Sequence, residues 1–149
     1  HVSVEEYRLN LSKIIFELRD LMKVNPVVPV LITPPPIQQE LVNRAATSRG
    51  DTEGPTRTNE NTSIYARACM DVGKRMRTPC IDMFTAMSDC AGDQEGLKRL
   101  LIDGLHLSDE GNRFVAETIF NQLRAKIGIL PDETVKRWFP PWIQVNAEE

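Results

Sequence analysis

A continuous apolar run, Val27-Val28-Pro29-Val30-Leu31-Ile32, is followed one residue later by three consecutive prolines, Pro34, Pro35 and Pro36. The run has strand length. Its lack of polar alternation is what a strand covered by helices on both faces of a parallel sheet requires. The prolines fix their own φ and push each preceding residue toward extended geometry, so the chain must leave this strand without turning into a helix. Pro29 cannot donate to a ladder and weakens the run from inside. The run is also far shorter than the roughly 18 apolar residues of a membrane span, so none is expected.

Helical patterns flank it. Val4, Tyr7, Leu11, Ile14, Ile15, Leu18, Leu21 and Met22 recur with a 3.6-residue period and predict a helix over Ser3 to Val24. Ser3 and Glu6 form a capping-box pattern at its start, and Asn25-Pro26 ends it. The polar stretch Ala45 to Thr58, with Gly50, Gly54 and Pro55, reads as a long surface loop. A second helix is predicted from Asn59 or Asn61 to Met76, with Ile64, Tyr65, Ala68, Cys69, Val72 and Met76 on one side, which makes Cys69 a core residue. A short strand, Cys80 to Phe84, follows Thr78-Pro79, and a short helix is expected over residues 94 to 102. Ser108 caps a last helix that points Val115, Ile119, Phe120, Leu123 and Ile127 inward, with Asp109 and Glu110 at its positive end and Gly128 as C-cap. Beyond Pro131, Trp138, Phe139, Pro140, Pro141 and Trp142 form an aromatic strip expected to pack over the body.

Helix, strand, helix, strand, helix is the order of an α/β layer sandwich with right-handed crossovers. Two strands are too few for a doubly wound sheet, so the chain reads as the second half of a domain. Its start at His1, with neither a charged n-region nor an apolar h-region, reads as a truncation without a signal peptide. A net charge of −3, with no Lys or Arg run, argues against a nucleic-acid or anionic-membrane partner. Three cysteines without C-x-x-C spacing fit a reducing, cytoplasmic setting. With His1 and His106 the only histidines, a multi-histidine zinc site cannot be assembled.

The chemistry-bearing segment is Asp103-Gly104-Leu105-His106-Leu107-Ser108-Asp109-Glu110-Gly111-Asn112, in which a carboxylate stands three residues before a histidine in a turn that opens a helix. An ester-cleaving serine needs a neutral imidazole to take its proton, and a buried carboxylate that fixes the imidazole tautomer. Asp103 and His106 can supply both from one bend. By spacing alone, the commoner reading makes Asp103 a turn-forming side chain and His106 a satisfied surface residue. A metal site from Asp103, His106 and Asp109 is the weaker reading, because these groups are more simply a dyad plus a charge at a helix start.

The block Asp103 to Asn112 resembles the last motif of the SGNH, or GDSL, esterase and lipase family. Leu31-Ile32-Thr33-Pro34-Pro35-Pro36-Ile37, Arg57-Thr58-Asn59-Glu60, Tyr65-Ala66-Arg67-Ala68-Cys69 and the opening His1 to Tyr7 resemble, in the same order, its isoamyl acetate-hydrolysing esterase subfamily. The resemblance implies a flavodoxin-like three-layer α/β/α sandwich of the SGNH hydrolase type. Residues 1–130 would be the C-terminal portion of one such domain and 131–149 a C-terminal tail. It implies a carboxylic ester hydrolase for short-chain acetate-type esters, with a Ser-Asp-His triad in which His106 is the general base and Asp103 its orienting partner. The family's Gly-Asp-Ser nucleophile block and Gly-x-Asn-Asp oxyanion block would both precede His1.

Gly50-Asp51-Thr52 imitates the nucleophile block but follows a polar loop, whereas a strand-to-helix elbow is what exposes the hydroxyl. Ser48, Ser63 and Ser88 lack that context too. A further departure is Leu97, where relatives often carry tryptophan, which bears on the acyl-pocket lining. The resemblance implies a small-molecule ester as partner, no cofactor, and room for a homo-oligomer. The competing expectation is a catalytically inactive fragment or interaction module that pairs through an exposed sheet edge.

Overall fold

The first helix, α1 (Val4–Leu21), starts where its cap signal stands: the Glu6 N–H donates to Ser3 Oγ at 3.1 Å. The computed structural model describes residues 2–21, 28–50 and 57–127. Ile15 is buried and Tyr7, Leu11 and Leu18 are half-buried along the predicted stripe, whereas Ile14 faces out. α1 lies along α3 (Asn59–Met76), where the Tyr7 and Tyr65 rings meet edge to face at 5.2 Å and Arg8 pairs with Asp71 at 2.9 Å.

The strand expected over Val27 to Ile32 is much shorter. β1 (Leu31–Ile32) pairs in parallel with β2 (Cys80–Ile81), in the register Leu31 to Cys80 and Ile32 to Ile81. Residues 28–30 are not in strand, as the missing donor of Pro29 demands, and Val27 lies outside the described residues. The strand expected over Cys80 to Phe84 is likewise cut short. Asp82 Oδ1 accepts the Thr85 N–H at 3.1 Å and starts α4 (Met83–Ala91), so Met83 and Phe84 are helical. Thr33 Oγ1 accepts the Phe84 N–H and donates to Asp82 Oδ1, tying the exits of both strands together.

The expected loop over Ala45 to Thr58 is also corrected, because its first four residues end α2 (Gln39–Ser48), a helix capped by Gln38 Oε1 accepting the Leu41 N–H at 2.7 Å. Ala45 and Ala46 are strong helix formers, and the cap upstream extends through them. Residues 51–56 lie outside the described residues. The helix α3 agrees with expectation and is capped by Thr58, with Cys69 and Val72 buried and Ile64 turned outward. The helix expected over 94–102 contracts to α5 (Leu97–Leu100), because Leu101 is extended. The last helix, α6 (Asp109–Ile127), begins after Ser108 as expected, but Phe120 is exposed beneath the Arg124 guanidinium. Gly128 and the tail lie outside the described residues.

Successive strand residues point to opposite faces. Cys80 meets α3 at Gly73 and Cys69, while Ile81 joins Met83, Met87, Leu97, Leu100 and Leu101 in a core that α6 covers with Phe114, Val115, Ile119 and Leu123. Both β2 residues are buried, whereas the Val27 to Ile32 run, expected to be covered on both faces, leaves Leu31 half-buried and Val28 and Ile32 exposed. No helix among the described residues is long and apolar enough to cross a membrane.

Candidate active site

Between α5 and α6 the chain makes one narrow turn. Leu101 and Leu107 form an antiparallel bridge, and the Ile102 N–H donates to the His106 carbonyl at 2.8 Å, which leaves Asp103, Gly104 and Leu105 at the tip. Ser108 anchors the C-terminal side: its N–H donates to Leu100 O, its hydroxyl donates to Arg99 O, and its Oγ accepts the Gly111 N–H at 3.0 Å. Gly111 is required there, because a Cβ would stand 2.1 Å from Leu100 O.

The turn brings the two expected side chains together. His106 Nδ1 lies 2.7 Å from Asp103 Oδ2, while Asp103 Oδ1 accepts the N–H groups of His106 at 2.8 Å and Leu105 at 3.0 Å. One carboxylate therefore shapes the turn with one oxygen and holds the ring with the other. The His106 N–H, then the imidazole, then the Leu105 N–H hold the Asp103 carboxyl well below the usual carboxylate range. With Nδ1 donating to this anion, Nε2 carries the free lone pair of the neutral ring. The expectation of a buried carboxylate is not met among the described residues: the side chains of His106 and Asp103 are 74% and 49% exposed.

The turn is also fixed from outside, by residues that sequence reasoning did not single out as positioning groups. After the three prolines the Gln38 N–H donates to Gly104 O at 2.9 Å, and Gln38, only 2% exposed, donates through Nε2 to Gln94 O. Asn59 brackets Ile37, accepting its N–H and donating to its carbonyl, each at 2.8 Å. Gln94 Oε1 accepts the Gln39 N–H at 2.8 Å. Gly104 sits at φ +88°, and a Cβ there would stand 2.6 Å from Gln38 O. Asn59 stood within a noted segment without a role, and nothing local marked Gln38 or Gln94.

A cleft of about 350 Å³ opens beside the turn, lined by Pro34, Pro35, Pro36, Tyr7, Tyr65, Arg57 and Leu105 among others. Leu105 lies between the two members of the pair in sequence, next to His106 and two residues after Asp103, so the cleft begins beside the pair. Leu97 does not line it but is packed in the core with Ile81 and Leu100. Ser48 and Ser63 donate to carbonyls of their own helices, and among the described residues no serine hydroxyl is hydrogen-bonded to His106. Asp109 lies in the first turn of α6, and among the described residues no group of three His, Cys, Asp or Glu side chains is placed to share a metal ion.

Comparison with known proteins gives a consistent result. The family model GDSL-like Lipase/Acylhydrolase matches residues 1–119. The chain is 35% identical over 124 residues to a GDSL esterase/lipase of Arabidopsis thaliana, covering 83% of this chain and 49% of that protein. It is 32% identical over 146 residues to the isoamyl acetate-hydrolyzing esterase 1 homolog of Rattus norvegicus, covering 98% of this chain and 54% of that protein. A solved lipase/acylhydrolase from Enterococcus faecalis superposes with a TM-score of 0.59 at 23% identity, over 85% of this chain and 54% of that one. The chain thus spans about half the length of the curated relatives it matches.

Proposed function

The chain belongs to the GDSL-like lipase/acylhydrolase family, and on that premise we propose that it carries the acid–base half of a carboxylic ester hydrolase for short-chain, acetate-type esters. The observation that carries this reading is the 2.7 Å contact between His106 Nδ1 and an Asp103 carboxylate whose other oxygen is tied to the backbone. An imidazole held in this way presents Nε2 as a base in a fixed tautomer. His106 takes the proton of a serine hydroxyl as that oxygen attacks the ester carbonyl, then returns it to the departing alcohol. In the second half-reaction it activates water against the acyl-serine.

The serine and the oxyanion donors belong to an upstream half, whose strands would extend the sheet beside β1 and complete a flavodoxin-like α/β/α sandwich. Ile32 and Val28, 45% and 53% exposed, offer that half an apolar surface. The cleft beside Leu105 accepts the apolar part of the substrate, and its volume lies in the range of small-ligand sites. The test is hydrolysis of p-nitrophenyl acetate by this chain alone and with the upstream half restored. Turnover only in the restored protein supports the reading. Labelling of a serine in this chain alone by a fluorophosphonate contradicts it.

A further inference from the structure

Away from the dyad, a second pair of reactive side chains faces each other inside the fold. Cys69, on α3, and Cys80, on β2, have their Sγ atoms 3.9 Å apart and are 1% and 7% exposed. We propose that Cys69 and Cys80 are an oxidation site, a buried dithiol that peroxide converts into an internal disulfide stapling α3 to β2.

The fold brings the two sulfurs together in a specific way. Gly73 lies one turn after Cys69 on the same helix face, and a Cβ there would stand 2.9 Å from Cys80 Cβ. Only a residue without a side chain lets β2 sit this close to α3. A disulfide needs its sulfurs about 2.05 Å apart, so they must close by about 2 Å, within reach of small side-chain rotations at both ends. Cys69 also has the electronic character of the attacking thiol. A hydrogen bond from the Cys80 thiol, with one from the Tyr7 hydroxyl, draws it down to about 7 against the opposing effect of burial.

The steps balance. The Cys69 thiol gives up its proton and the thiolate attacks one peroxide oxygen, forming S–O and breaking O–O, and the departing hydroxide takes up that proton and leaves as water. The Cys80 sulfur then attacks the sulfenic sulfur, forming S–S and breaking S–O, and a second water leaves with the remaining thiol proton. Two electrons pass from the sulfurs to the peroxide. Local opening between α3 and β2 admits the oxidant. Tyr7, whose hydroxyl bonds to Cys69, also lines the cleft beside Leu105. Cys90 is exposed and provides a built-in contrast, since a surface thiol cross-links between molecules.

The experiment treats the native protein carrying these residues with hydrogen peroxide, then maps its peptides without reduction. Expected are a loss of two hydrogens, one linked peptide pair joining Cys69 and Cys80, and reversal by a thiol reductant. In Cys90→Ser the same link forms, in Cys69→Ser and Cys80→Ser it is absent, and in folded Gly73→Ala it forms more slowly. Recovery of Cys69 and Cys80 as free thiols on denaturation, or oxidation of either to a sulfinic acid without the link, in protein that is folded by circular dichroism, overturns the proposal.

Discussion

His106 Nδ1 and Asp103 Oδ2 are 2.7 Å apart, and the same aspartate accepts the His106 backbone N–H at 2.8 Å, so one carboxylate fixes both the ring and the main chain of the histidine. Asparagine at this position keeps an acceptor for the backbone but offers the ring an amide. With the upstream half present, Asp103→Asn is expected to lower kcat by up to about 10⁴, the loss known for a triad aspartate, because the amide favours the wrong imidazole tautomer. KM and the melting temperature should move little. Steady-state kinetics on p-nitrophenyl acetate check this, and an unaltered kcat counts against an orienting role.

The depressed carboxyl of Asp103 also sets a pH dependence. A group whose folded value lies below its unfolded one contributes stability that is present above the unfolded value, about 3.9 for aspartate, and that is lost as the pH falls through the depressed folded value. The stability advantage that the Asp103 carboxylate gives over Asp103→Asn should therefore be present near about pH 5 and shrink as the pH falls further into acid. Urea titrations across that range measure it. Solvent around the half-exposed carboxylate keeps the effect small.

Gly104 combines φ +88° with a backbone oxygen 2.6 Å from the place of a Cβ. Gly104→Ala is expected to cost about 1–3 kcal/mol, from left-handed strain and displacement of the Gln38 segment. Esterase activity of the restored protein should fall further than stability alone explains, because the turn carries the dyad. A variant as stable and active as the parent shows that the contact with Gln38 O does not position the turn.

Asn59 makes two hydrogen bonds to one residue, Ile37, which is 4% exposed. Asn59→Ala leaves the Ile37 N–H without its acceptor, while the Ile37 carbonyl keeps Gln94 Nε2 at 3.4 Å, so a cost of about 1–3 kcal/mol for one unsatisfied buried group is expected. Asn59→Asp, which keeps only the acceptor, should recover part of it. Chemical denaturation of the two variants separates these outcomes.

On α1 Leu9 and Phe16 are 62% and 65% exposed, and on the β1 side Val28 and Ile32 are also open. Apolar surface of this extent promotes association. The 149-residue chain by itself is expected to self-associate and bind a hydrophobic dye, and the separately expressed upstream half should suppress both. A monomer with a sharp two-state melt and no dye binding favours the interaction-module reading.

What could be read from the sequence is what depends on near neighbours. Ser3 and Ser108 announce caps because their partners lie three residues away, and Asp103 announces the dyad for the same reason. The start of α4 escaped because Met83 and Phe84 prolong the apolar pattern of β2, while the Asp82 cap competes with it from inside the run. Ile14, Ile64 and Phe120 face out because what decides their exposure is which neighbouring element covers each stripe, and periodicity does not carry that information. The clamp on the dyad turn was illegible for a third reason. Gln38, Asn59 and Gln94 are far apart in the chain, and only the fold makes them one network around Ile37 and Gly104.

The most direct measurement of the central claim is kcat for ester hydrolysis by His106→Ala in the protein with its upstream half present, beside its melting temperature. His106→Ala keeps the backbone N–H that donates to Asp103 Oδ1, so removal of the ring should leave the melt nearly unchanged. Loss of turnover is expected in a protein that still folds cooperatively. Turnover equal to that of the unsubstituted protein would show that Nε2 of His106 is not the base.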